Sequence, residues 1–127
     1  MKEFMLLIRN NQNHQSAWSS DYKQQFLKKC EIYINNLKKQ GKLISAQPFV
    51  MEGIILSGKA GNWVELPYNE SEEVQVGYYH IVARDLDEAI ELSKLNPEFE
   101  FGSSARIEIR PIKTKENITG YIYPGKV

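Results

Sequence analysis

The chain has 127 residues, 42% of them hydrophobic and 11% aromatic, enough to bury a core in one domain without staples. Its one cysteine, Cys30, excludes an internal disulfide and a cysteine-rich zinc site. Sixteen basic residues balance sixteen acidic ones, which argues against nucleic acid, a partner usually met by a basic excess that displaces counterions.

Met1-Lys2-Glu3 leads directly into an apolar run at residues 4–8, with no leader-like pattern. That run is far shorter than the roughly 20 residues a membrane helix needs. The expectation is a soluble cytoplasmic protein with no membrane partner. Phe4-Met5-Leu6-Leu7-Ile8-Arg9 predicts a strand buried on both faces. Residues 10–15 are polar and turn-prone. Ser19 or Ser20 then offers an N-cap, with Asp21 in the first turn where the helix dipole favours an acid.

Phe26, Cys30, Tyr33, Ile34 and Leu37 recur at the spacing of one helix face. Lys28, Lys29, Lys38, Lys39 and Lys42 cluster around that helix, more often a solvated face than a phosphate grip. Gly41 stops the helix in the left-handed conformation. Residues 43–50 predict a strand whose Pro48 marks a bulge or an edge. Residues 53–58 and 61–64 predict a hairpin arm, and residues 66–70 a loop. Glu65, Glu70, Glu72 and Glu73 read as a solvated acidic stretch.

Residues 74–83 carry the clearest strand pattern. If that strand is regular, His80 shares a face with Val76, Tyr78 and Val82, while Tyr79 points the other way. Gly77 suggests a bulge or a close backbone approach. Asp85 caps a second helix with Leu86, Ala89, Ile90 and Leu92, which stops before Asn96-Pro97. Residues 102–112 form the last strand, where Arg106, Glu108 and Arg110 share one face and Ile107 and Ile109 the other. Residues 114–127 make a polar tail that rests on a surface or on a neighbouring subunit.

The order is β-α-β-β-α-β with a hairpin inserted after the second strand. Right-handed crossovers then give an α+β, ferredoxin-like fold, an antiparallel four-stranded sheet with both helices on one face. The other face carries a tyrosine and half of the first strand's apolar side chains, so something must cover it. A second copy of the same sheet does so most simply, giving a homodimer.

Several segments together resemble the YCII-related, or DGPF-domain, family. They are Leu66-Pro67-Tyr68-Asn69-Glu70-Ser71, Val76-Gly77-Tyr78-Tyr79-His80-Ile81, Asp85-Leu86-Asp87-Glu88-Ala89 and Glu108-Ile109-Arg110-Pro111-Ile112. Phe4-Met5-Leu6-Leu7-Ile8 and Gly41-Lys42-Leu43-Ile44-Ser45-Ala46 fit as well. The resemblance covers residues 1–113 and leaves 114–127 as a tail. It implies a dimeric α/β-barrel in which two sheets close face to face, and no settled activity. The family's Asp-Gly-Pro-Phe motif stands here as Glu65-Leu66-Pro67-Tyr68. One branch uses a histidine on the first helix and an aspartate before a proline after the second. Here that helix has no histidine and the dipeptide is Asn96-Pro97, so neither role carries over.

The chemistry-bearing candidates are Arg9, His14, Tyr78, Tyr79, His80, Arg106 and Glu108. Histidine titrates near neutrality, so His80 could serve as a base in a barrel pocket, although a histidine satisfied by a core or interface partner is the commoner case. Arg106 and Arg110 could hold an anion with Glu108 as a base; an ion-pair ladder is the bland alternative. Arg9 and His14 flank the end of the first strand, where Trp18 could wall a pocket mouth. One of the two tyrosines enters the barrel and can orient a ligand. Cys30 lies on the apolar stripe and should be buried and inert. The histidines lack metal-ligand spacing, and there is no glycine-rich phosphate loop, so no metal or cofactor is expected.

The expected protein is a small homodimer, or a higher oligomer, holding a small molecule in its barrel cavity, with an anionic ligand suited to the arginines. The alternatives are a cofactor-independent enzyme using His80 or Glu108 for proton transfer, and an interaction module using the hairpin around Gly58 and the tail.

Overall fold

Alternation governs the first strand of the computed structural model, which describes residues 1–125. In β1 (Lys2–Asn11), Phe4, Leu6, Ile8 and Asn10 are buried, while Glu3, Met5, Leu7 and Arg9 on the opposite face are half-buried. The expected burial of both faces is thus corrected to one. The remaining elements are α1 (Ser20–Lys39), β2 (Leu43–Pro48), β3 (Ile54–Lys59), β4 (Asn62–Pro67), β5 (Glu73–Ala83), α2 (Leu86–Lys94), α3 (Pro97–Phe101) and β6 (Arg106–Pro111). The main sheet has the order β2-β5-β1-β6 with every neighbouring pair antiparallel. This is the mixed α+β, ferredoxin-like arrangement expected from the element order.

Both long helices pack on the same face of the sheet. Tyr33 and Leu37 of α1 and Ala89 and Leu92 of α2 join Phe4, Leu6, Ile8, Tyr79 and Ile81 in one core. Leu6 and Ile81 are completely buried, and each contributes about 2 kcal/mol by leaving water. Tyr33 Oη donates to the Leu92 carbonyl at 2.8 Å, tying α1 to α2. At its other end α1 is held by an aromatic group. Trp18 stands edge-on to Tyr22 and Phe26, with centroids at 4.9 and 5.4 Å, and Phe101 of α3 meets Tyr22 at 5.0 Å.

The helix boundaries follow local chemistry. Ser19 Oγ accepts from the Tyr22 amide at 3.1 Å, and Gly41 takes φ of 69° just beyond the C-cap. Asp85 Oδ1 accepts from the Glu88 amide at 2.9 Å, while Glu88 reaches back to the Arg84 amide at 3.0 Å. Asn96-Pro97 ends α2 and also begins α3: Asn96 Oδ1 accepts from the Glu98 amide at 2.9 Å, with Pro97 first in the helix. Asn96-Pro97, expected from sequence only as a stop, is thus also the start of a third helix.

One irregularity decides which side chains share a face. Ile8 pairs with Gly77 and Arg9 with Gln75, leaving Val76 as the extra residue of a bulge. Val76 therefore packs against the helix-side core. It does not share the face of Tyr78, His80 and Val82, as a regular strand would require. Gly77 also meets the close approach suggested for it, because a Cβ there would lie 2.9 Å from the Gln47 carbonyl oxygen of β2.

β3 and β4 form a separate two-stranded arm. Leu66 and Pro67, expected in a loop, end its second strand. Ile54, Leu56, Trp63 and Val64 are all exposed on the arm. The tail folds back on itself through a Lys115–Ile122 bridge and a hydrogen bond from Tyr123 to Glu116. Its last residues, 126 and 127, lie outside the described residues. Among the described residues no helix is long and apolar enough to cross a membrane.

Candidate functional site

The seven residues singled out from sequence divide between the two sides of the sheet. Register places Glu3, Met5, Leu7 and Arg9 of β1 on the open face, with Tyr78, His80 and Val82 of β5 and Arg106, Glu108 and Arg110 of β6. Nearly every charge there is matched. Arg9 Nε lies 3.5 Å from Glu73 and its Nη1 3.9 Å from Glu108. Arg106 meets Glu73 at 3.1 Å, and Arg110 meets Glu108 at 3.1 Å. His80 Nε2 sits 2.8 Å from Glu3 Oε1, and Tyr78 Oη 3.0 Å from Ser45 Oγ. Glu73, expected in a solvated stretch, is the hub of this ladder. Such a face is chemically committed: its arginines neutralise neighbouring carboxylates, and His80 has a carboxylate of its own.

Tyr79 and His14 stand on the helix side. A cleft of about 320 Å³ opens there between α1 and the β2–β5 half of the sheet. Ile8, Phe26, Leu27, Ile34, Ala46 and Val76 supply most of its apolar wall. The bulge at Val76 helps to form it by turning that side chain toward α1. Cys30, Tyr79 and Glu98 bring polar groups to the same wall. A wider depression of about 640 Å³ adjoins it, shares Glu98, Phe26 and Val76, and adds His14, Tyr68 and Asn69. His14 is edge-on to Trp18 at 6.2 Å, and its Nδ1 lies 3.0 Å from the Asn11 carbonyl. Arg9 and His14, adjacent to the same strand end, are thus directed to opposite sides.

Glu98 is the residue that sequence reasoning missed. It is held half-buried at the junction of the two cavities by α3 and meets Asn10 Nδ2 at 3.4 Å. Asn10 is itself fully buried and locked, its Oδ1 accepting from Ser104 Oγ and from the Asn11 amide. Burial raises the Glu98 pKa above its ordinary value, with His14 and Asn10 pulling it partly back. Burial likewise pushes the Cys30 thiol up to about 12, reinforced by Glu98 and Glu31. The Tyr79 phenol is raised by burial first, then by Cys30, Tyr33 and Glu98. Cys30 is half-buried rather than fully enclosed, yet it is no nucleophile near neutral pH. Asn96, buried just before α3, has no hydrogen-bond partner for its Nδ2 among the described residues.

The cleft therefore combines an apolar body with the half-buried Glu98 carboxyl, a phenol and a neutral thiol, and the exposed Glu31 also lines it. That combination can orient a small molecule and exchange a proton with it through Glu98. Among the described residues no three histidine, cysteine or acidic side chains are grouped to hold a metal ion. The family model described as YCII-related domain matches residues 2–113. No curated protein matches the chain.

Proposed function

The chain belongs to the YCII-related domain family, and on that premise we propose that it is a homodimer that binds a small molecule in the cleft between α1 and the sheet. The observation carrying this reading is Glu98, a half-buried carboxyl lining a mostly apolar cavity of ligand size. A cavity serving only packing would have no use for a half-buried acid that costs free energy to ionise. The open sheet face is then the dimer surface. Met5 and Leu7 form its half-buried apolar centre, and the charges around them are already paired, which suits contact with an identical face. The free thiol of Cys30 suits a reducing compartment, and we assign the protein to the cytoplasm. If the ligand is also a substrate, Glu98 is better placed for proton transfer than His80 or Glu108, both of which are engaged across the sheet.

Titrating a set of small aromatic and alicyclic compounds into isotope-labelled protein tests the site. Amide shifts are expected at Cys30, Ile34, Ala46 and Val76, and their loss in Val76→Trp. Shifts centred instead on Met5, Leu7 and Tyr78 would move the ligand to a cavity between two sheets and refute the assignment. Native mass spectrometry tests the assembly: a dimer is expected, with Leu7→Lys a folded monomer. A monomeric parent protein would overturn it.

A further inference from the structure

The groups facing the cleft say what kind of molecule it selects, given that the cleft is the binding site. We infer that it takes a small apolar amine, the protonated nitrogen against Glu98 and the hydrocarbon body against Phe26, Leu27, Ile34 and Val76. Three features of the wall lead there. Every ionisable residue that lines it, Cys30, Glu31, Tyr78, Tyr79 and Glu98, is an acid. The arginines that would welcome an anion lie across the sheet, each beside a glutamate. Glu98 itself is under-satisfied among the described residues, with one long side-chain hydrogen bond, from Asn10, and no lysine or arginine paired with it.

A carboxylate drawn out of water is stabilised by an opposite charge with good hydrogen-bond geometry. A ligand ammonium supplies both, whereas an alcohol supplies only a hydrogen bond and a carboxylate is repelled. The apolar enclosure strengthens the discrimination by limiting solvent screening. An anionic ligand, the expectation drawn from the arginines, does not suit this cavity. No covalent step is involved.

The test compares benzylamine, benzyl alcohol and benzoate, three probes of similar shape that differ in charge. Dissociation constants come from amide shifts of the dimer, or of whatever assembly the purified protein forms. Benzylamine is expected to bind at least about tenfold more tightly than benzyl alcohol at pH 8, with benzoate weakest. In Glu98→Gln the amine preference should vanish while alcohol binding remains. Following the side-chain carboxyl ¹³C shift of Glu98 directly needs no variant: benzylamine should lower its pKa.

The groups that titrate or carry charge around Glu98 are His14 from the loop after β1, Cys30, Glu31 and Lys23 from α1, Tyr68 from the loop after β4, and Tyr78 and Tyr79 from β5. At pH 8 and below, where benzylamine itself stays protonated, a pH effect on amine affinity that persists in Glu98→Gln belongs to one of those and counts against the inference. Equal or tighter binding of the alcohol or of benzoate at the cleft would overturn the amine assignment and leave the binding site intact. No cleft shift with any probe would overturn the amine assignment and the cleft reading together.

Discussion

Replacing Tyr33 with phenylalanine isolates one buried hydrogen bond between α1 and α2. The hydroxyl donates to the Leu92 carbonyl at 2.8 Å across two elements far apart in sequence, and the side chain is buried. The ring stays, so its edge-to-face contact with Tyr79, at 5.4 Å and 71°, should survive. The Leu92 carbonyl is not orphaned, because the Leu95 amide still reaches it at 3.3 Å. The expected loss is therefore the net value of one hydrogen bond, about 1 kcal/mol, rather than a full desolvation penalty. Unfolding entropy of roughly 2 cal/mol/K per residue turns about 1 kcal/mol into a fall of about 4 °C in Tm. Urea unfolding at fixed protein concentration checks it, with the midpoint lowered and the slope unchanged. Tyr22→Phe serves as the comparison, since its 3.0 Å bond to the Phe101 carbonyl is only half-buried. A Tyr33→Phe effect smaller than that of Tyr22→Phe, or one above about 3 kcal/mol, would refute the assignment of the energy to this bond.

Gly77→Ala should cost about 1–3 kcal/mol, because the new Cβ would stand 2.9 Å from the Gln47 carbonyl and 3.1 Å from Pro48 Cα. Faster amide exchange along residues 43–48 would accompany it, and an unchanged stability would mean that β2 yields freely. Glu98→Gln should change the pH profile of stability. Burial raises the carboxyl's folded pKa, so between the ordinary value near 4.5 and the raised one the native state binds more protons than the unfolded state. Stability relative to the glutamine variant is thus greatest below that window and falls as pH rises through it. Parallel unfolding midpoints from pH 3 to 8 check this, and a flat or opposite difference would refute it.

The two long helices and the order of strands were legible because their signals are local. Ser19, Gly41 and Asp85 punctuate the chain where the caps form, and Phe26, Tyr33 and Leu37 mark the face of α1 that is buried. The bulge at Val76 was not legible, since it is a mismatch between β1 and β5 rather than a property of either. It changed the face assigned to Val76 while leaving Tyr78 and His80 where alternation placed them. Charged residues misled for a similar reason. Glu73 looked solvated until Arg9 and Arg106 arrived from other strands. Glu98, inside Pro97-Glu98-Phe99-Glu100-Phe101, resembles any acidic surface turn, and its burial depends on Asn10 and the loop carrying His14. Only the Asn-Pro-Glu start of α3 hinted that the segment was ordered.

The placement of β1 at the centre of the sheet has a consequence for how the protein is made. Lys2 pairs with Ala83 and Arg9 with Arg106, so both neighbours of the first strand are synthesised long after it. At roughly 5–20 residues per second, the ribosome leaves that apolar segment without a strand partner for several seconds. α1 can form meanwhile from local contacts, but its packing surface is incomplete until β5 emerges. The nascent chain is therefore most vulnerable to misassociation before residues 73–83 are out, and variants that weaken the β1–β5 pairing should reduce soluble yield more than their equilibrium stabilities imply.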